Sequence, residues 1–152
     1  METIAGEQSV SIAAGAPRHL WIVGALATAW SGYACWHFAL ISLREAATMA
    51  RLAPDVVDTI DAYPAWVMVA AAIEVGFALL GSLLLLGRSR WAVPAFAISL
   101  VGLAANQFYQ LATGLPASWN TWAYWAANLA GWSVAAGLLV YALRLRRSGA
   151  LT

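Results

Sequence analysis

Four long apolar runs constrain this chain more than any other feature. They cover roughly 19–43, 64–87, 91–113 and 121–143, and about 20 apolar residues are enough to cross hydrocarbon as a helix. In that solvent every backbone N–H and C=O must be satisfied within the protein, which leaves helices or closed barrels. Barrel strands alternate in polarity over about ten residues, and these runs are too long and too uniformly apolar for that. The expected fold is an all-α membrane protein: an antiparallel four-transmembrane-helix bundle with short connections.

Composition supports the same solvent. Hydrophobic residues make up 62% of the 152 and charged residues 10%, where a soluble domain carries about a quarter charged residues. Little chain is left outside the four runs, so one transmembrane domain over 19–147 is expected, between tails at 1–18 and 148–152. The first tail is polar, carries Glu2 and Glu7, and is expected to be disordered. The run that follows is too long for a signal-peptide core and is expected to remain as the first span.

Arginines set the orientation, because cytoplasmic loops are enriched in positive charge. With four crossings both termini share a side. Arg18, Arg88, Arg90, Arg144, Arg146 and Arg147 fall on it, and only Arg44 and Arg51 fall on the other. Both termini are therefore expected in the cytoplasm of a cell whose inner (plasma) membrane holds the protein as a multi-pass chain. The 1–2 loop then faces outward. In it Pro54 suits a first helical turn. Val56, Val57, Ile60 and Tyr63 recur at helical spacing opposite Asp55, Asp58 and Asp61, which predicts a short amphipathic outer helix lying at the interface.

Several chemistries are excluded. All eight basic residues are arginine, so there is no P-loop lysine, Schiff-base lysine or Ser–Lys dyad. HExxH, CxxC, GxSxG and GxGxxG are all missing, and no enzymatic activity, cofactor or metal is assigned. His19 and His37 lie at opposite ends of one run and do not form a haem pair. Cys35 has no partner for an internal disulfide and reads as a small packing residue. A formal net charge of +1 gives no reason to expect a nucleic-acid partner.

Nine tryptophans mark the boundaries. Trp21, Trp91 and Tyr141 sit near the inner one. Trp36, Tyr63, Trp66, Trp119, Trp122, Tyr124 and Trp125 form a richer outer belt of the kind that anchors helices at the headgroups. Trp30 and Trp132 fall deeper, where packing comes first and ligand stacking second.

The polar residues inside the runs carry the functional information. Glu74 lies ten residues past Pro64, about 15 Å along the helix and so near the midplane. An acid there costs at least ~2.5 kcal/mol and should face protein or water. Ala95, Ser99, Gly102, Asn106, Gln110 and Thr113 share one face of the third run, with small residues inward and amides outward. Asn128 on the fourth run is flanked by Trp125 and Trp132, and His37 on the first has Trp30 and Tyr33 on its side. His37, Asn106 and Asn128 each fall roughly 10 Å below the outer surface and Glu74 about 5 Å deeper. The candidate ligand-binding set is therefore Glu74, His37, Asn106, Gln110, Asn128, Trp125 and Trp132, framing a polar pocket in the outer half of the bundle. The competing account makes the amides interhelical glue, worth about 0.6 kcal/mol per bond. Intramembrane acids more often mark pathways or relays.

The stretch YPAWVMVAAAIEVGFALLGSLLLLGRSRWAV from Tyr63 to Val93, with PAFAISLVGLA after it and Trp30–Ser31–Gly32–Tyr33 before it, resembles a group of small bacterial four-helix inner-membrane proteins loosely labelled "sugar transporter". The resemblance covers about residues 20–112 and rests on Pro64, Ala65, Trp66, Gly81, Ser82 and the Arg88–Trp91 turn. It implies the four-helix topology and the binding or transport of a sugar-like small solute. Three functional readings follow. One is a carrier or binder of a small solute, acting as a homo-oligomer or within a larger membrane complex. The alternative is a non-catalytic accessory or scaffold subunit. A membrane enzyme using Glu74 and His37 as an acid–base pair is the third.

Overall fold

The computed structural model describes residues 18–151. In chain order the helices are α1 Arg18–Ser42, α2 Ala46–Met49, α3 Pro54–Asp61, α4 Ala65–Leu86, α5 Ala92–Thr113 and α6 Trp122–Arg147, with no strand among the described residues. The N-terminal tail expected to be disordered lies outside the described residues, except for Arg18, which opens α1.

Three helices, α4, α5 and α6, are long and apolar enough to cross a membrane. At 25 residues α1 is as long. Its apolar character is diluted by Trp21, Trp30, Ser31, Tyr33, Trp36 and His37, and it does not stand among the three. The sequence reading put all four runs on one footing; α1 is the weakest of them. Large apolar side chains cover the outside of the molecule: Phe108 is 73% exposed, Val101 69% and Leu129 69%. A surface of that kind suits hydrocarbon and is rare on monomers in water.

Chain breaks follow local chemistry. Pro54 and Pro64 stand at the first turn of α3 and the N-cap of α4, where a missing N–H leaves nothing unpaired. Glu45 caps α2, accepting from the Ala47 and Thr48 amides at 3.1 and 2.6 Å, and Thr121 caps α6 by accepting from Tyr124 N at 3.3 Å. α4 ends with Arg88 N–H donating to Leu85 O at 3.0 Å and Ser89 N–H to Leu84 O at 2.8 Å, the paired bonds of a Schellman motif. The left-handed residue in it is Arg88 (φ 57°), not the neighbouring glycine Gly87 (φ −72°). Arg88 is held there by its side chain, whose Nε donates to Ala150 O at 3.1 Å.

That bond ties down the C-terminal end. Residues 148–151, expected as a tail, fold back, and Leu151 is buried with Leu20, Leu85, Ala92, Val93, Phe96, Ala142 and Leu145. α6 runs past the expected 143 to Arg147 because Leu145 belongs to this cluster. Its last-turn arginines also suit the negative helix terminus. The start of α1, end of α4, start of α5 and end of α6 thus converge at one end, the terminal end. Successive long helices alternate in direction.

α4 packs between α1 and α5, and α6 lies along α5. Backbone meets backbone at Gly102. A Cβ there would come within 2.8 Å of both Ala70 O and Glu74 N, so the α4 and α5 backbones nearly touch. Small residues at Ala95 and Ser99, both 4% exposed, continue the seam, as the small-residue stripe implied. Ser99 Oγ donates to the Glu74 carbonyl at 2.8 Å.

Gly102→Ala is expected to lower thermal stability in detergent by about 1–3 kcal/mol, the usual cost of overpacking. Gly32→Ala and Gly76→Ala, where nothing lies within 4 Å of the added carbon, are expected to leave the melting temperature nearly unchanged. Equal melting temperatures for all three variants would contradict the seam.

Candidate functional site

Glu74 sits one turn beyond Ala70 on α4, opposite Gly102, so the close seam fixes its backbone against α5. Its side chain is half-buried. One carboxylate oxygen accepts a weak bond from Asn106 Nδ2 at 3.5 Å. Asn106 Oδ1 in turn accepts from Gln110 Nε2 at 3.3 Å, and Gln110 Oε1 accepts from the Tyr124 hydroxyl at 2.6 Å. A polar ladder therefore climbs from the middle of α4, along one face of α5, to the first turn of α6.

Glu74 borders two hollows. The first is a cavity of about 200 Å3 between all four long helices. Trp30, Ser31 and Ala34 line it from α1, Phe96 and Leu103 from α5, and Gly131 and Ala135 from α6. The second is an open groove of about 370 Å3 along α1, where Trp30, Tyr33, His37 and Ile41 face Ala71, Glu74 and Asn106. The two meet at Trp30, Ala34, Glu74 and Val75. A third hollow, of about 160 Å3, continues past Asn106 to Gln110 and is bounded by Ile60 of α3, Tyr63 and Trp119.

α1 is pinned to α4 beside the junction. Ser31 and Ser82 hydroxyls lie 3.4 Å apart, and Cys35 Sγ donates to Val75 O at 3.2 Å. Cys35 thus does more than fill space. His37 is exposed in the groove and stacks on Tyr33, ring centres 6.1 Å apart. No hydrogen bond joins His37 to Glu74 among the described residues, and the acid–base pairing considered from sequence has no contact to support it.

Not every candidate joins the site. Glu74, His37 and Asn106 share the groove, and Gln110 enters through Asn106. Asn128 turns away, donating to Gln107 Oε1 at 2.5 Å. Trp125 donates its ring N–H to Asn120 at 3.1 Å and meets Tyr124 edge-on. Neither Asn128, Trp125 nor Trp132 lines any of the three hollows. The expected set splits because depth alone does not say which way a side chain points around its helix. Two residues outside the expected set matter. Gln107 sits one position off the α5 stripe, which aims it at α6. Trp30 is 57% exposed and walls both hollows.

α3 roofs the third hollow at the end away from the Leu20–Leu145 cluster. Val56 and Ile60 are its buried residues, the apolar face anticipated for an amphipathic helix. Its acidic face is not idle: Asp55 accepts from Ser118 N at 2.9 Å and Ser118 Oγ at 2.7 Å, and Asp61 pairs with Arg44. Donation from the Ser118 amide and then its hydroxyl holds the Asp55 carboxyl below its ordinary value. Comparison with family models, with curated proteins and with solved structures finds no match for this chain.

Because the Asp55 carboxyl is depressed in the folded chain, its clamp is complete above the ordinary carboxylate value of about 3.9 and is lost as pH falls through the lower folded value. The protection factors of the amides at Val57–Ile60 and Ser118 are expected to fall below about pH 4, and Asp55→Asn to lower them at pH 7. Unchanged protection in Asp55→Asn would remove the clamp.

Proposed function

We propose that the chain is a four-helix protein of the bacterial inner membrane, both termini cytoplasmic, that binds a small solute where the cavity and groove meet at Glu74 and carries it across the bilayer. The observation that carries this reading is Glu74 itself. It is an acid in the middle of an apolar helix, bordering a cavity and a groove, with one weak bond to its carboxylate and, among the described residues, no ion pair. Acids so placed mark substrate or ion pathways. Orientation rests on the arginines: Arg88, Arg90, Arg144, Arg146 and Arg147 gather at the terminal end, and α1, pinned to α4, completes the fourth crossing. The groove and the third hollow then lie toward the periplasmic half, under α3, and the cavity lies at mid-depth, reaching Phe96 of the terminal-end cluster. The family resemblance adds a solute-carrier reading of the same kind.

Purified protein in liposomes is expected to take up solutes from a panel of sugars and small amines above the empty-liposome rate. Glu74→Gln should abolish the uptake while leaving the size-exclusion profile intact. No uptake across the panel would remove the transport reading.

The accessory-subunit reading has one observation in its favour. α6 buries only Ala142 and Leu145, so most of its length is free to meet another subunit. Purification in mild detergent separates the two: a homogeneous particle without partners is expected here, and stoichiometric co-purification of a larger complex would favour the accessory role.

A further inference from the structure

The walls of the cavity say which solute suits it, and they do not suit a sugar. Besides the indole N–H of Trp30, three polar side chains line it: Ser31, Glu74 and Ser99. The Ser31 hydroxyl is paired with Ser82, and the Ser99 hydroxyl already donates to the Glu74 carbonyl. One carboxylate and one indole N–H remain to meet a ligand, too few for a polyol. A polyol has a hydroxyl on nearly every carbon, and each one buried without a partner carries a desolvation penalty. An anion would meet Glu74 with like charge. A neutral hydrocarbon would match Phe96, Leu103, Val134 and Leu138 but leave the acid uncompensated. Among the described residues no cation is paired with Glu74; the one ion pair, Arg44 with Asp61, joins the turn after α1 to the end of α3. Trp30 adds an indole at the junction of cavity and groove, 57% exposed, and an indole face attracts cations best of all side chains.

We infer that the solute of the Glu74 cavity is a monovalent organic cation with an apolar body, its charge set against Glu74 and Trp30 and its hydrocarbon against the α5 and α6 walls. The inference rests on the solute-binding reading above and narrows it. It also accounts for the polar ladder. Asn106 donates weakly to one Glu74 oxygen and is itself bonded to Gln110, which leaves the other oxygen for the ligand.

The test uses a matched pair of probes. Benzyltrimethylammonium and neopentylbenzene share one shape and differ by a charge. Saturable binding of labelled benzyltrimethylammonium to the full chain in nanodiscs is expected, displaced by the unlabelled cation and far less by neopentylbenzene, glucose or xylose. Glu74→Gln, which keeps an acceptor for Asn106, should weaken it at least about tenfold, in the range for losing one member of a desolvated charge pair. Trp30→Ala, a change at an exposed residue, should weaken it several-fold. Cation binding unchanged in Glu74→Gln would overturn the inference. Labelled sugar bound in a Glu74-dependent way, with no cation binding, would also overturn it and leave the solute-binding reading standing. Saturable binding of neither class would bring down both.

Discussion

The α4–α5 seam at Gly102 is the contact on which the candidate site depends. Helix association in lipid gains nothing from burying hydrocarbon, because the tails outside are as apolar as leucine. Close backbone packing and interhelical hydrogen bonds must do it. Gly102 admits the α4 backbone, with Ala70 O and Glu74 N where a side chain would stand, and Ser99 bonds to the carbonyl thus brought near. Both devices act on the residue that carries the acid. The same helix crossing that assembles the bundle therefore sets the depth and direction of Glu74, and Asn106, one turn further along α5, falls where it can reach the carboxylate.

The bundle is built unevenly along its length. At the terminal end Leu20, Leu85, Phe96 and Leu145 close a continuous apolar cluster that the C-terminal turn completes, and His19 and Tyr141 join α1 to α6 with Nδ1 and hydroxyl 2.6 Å apart. Above this cluster α1 and α6 are held through α4 and α5, and the space among the four at mid-depth is the cavity. The loops compensate at the other end: Tyr109 is packed edge-on against Tyr63 and Trp66, Trp119 stacks on Tyr124, and Asp55 clamps α3 to Ser118. A closed base and a clamped roof leave a middle that can stay open without loss of the fold.

The sequence disclosed the helices because hydropathy and proline placement are local. Pro54 and Pro64 mark helix starts by what a proline lacks. The α5 stripe of Ala95, Ser99, Gly102 and Asn106 disclosed its partner face because small residues and amides have few other uses in hydrocarbon. What stayed hidden depends on rotation about a helix axis and on distant chain. Asn128 matched Asn106 in depth yet faces Gln107, and Trp132, one turn deeper, lines neither cavity nor groove. Arg88 adopting the left-handed turn beside Gly87 follows from a bond to Ala150, 62 residues away, and no local rule favours arginine over glycine there.

The weakness of α1 as an apolar helix has a physical reading under the proposed topology. Four of the residues that lower its hydropathy, Trp30, Ser31, Tyr33 and His37, gather opposite α4. Ser31 bonds across to Ser82, while Trp30, Tyr33 and His37 line the groove opposite Glu74. A helix wholly exposed to lipid has no use for such residues, and one facing an aqueous groove does. The departure from the apolar pattern and the location of the candidate site are thus one feature seen twice. The second run, richest in aliphatic residues, carries the single acid, and the first supplies the aromatic and polar wall that makes an acid at that depth tolerable.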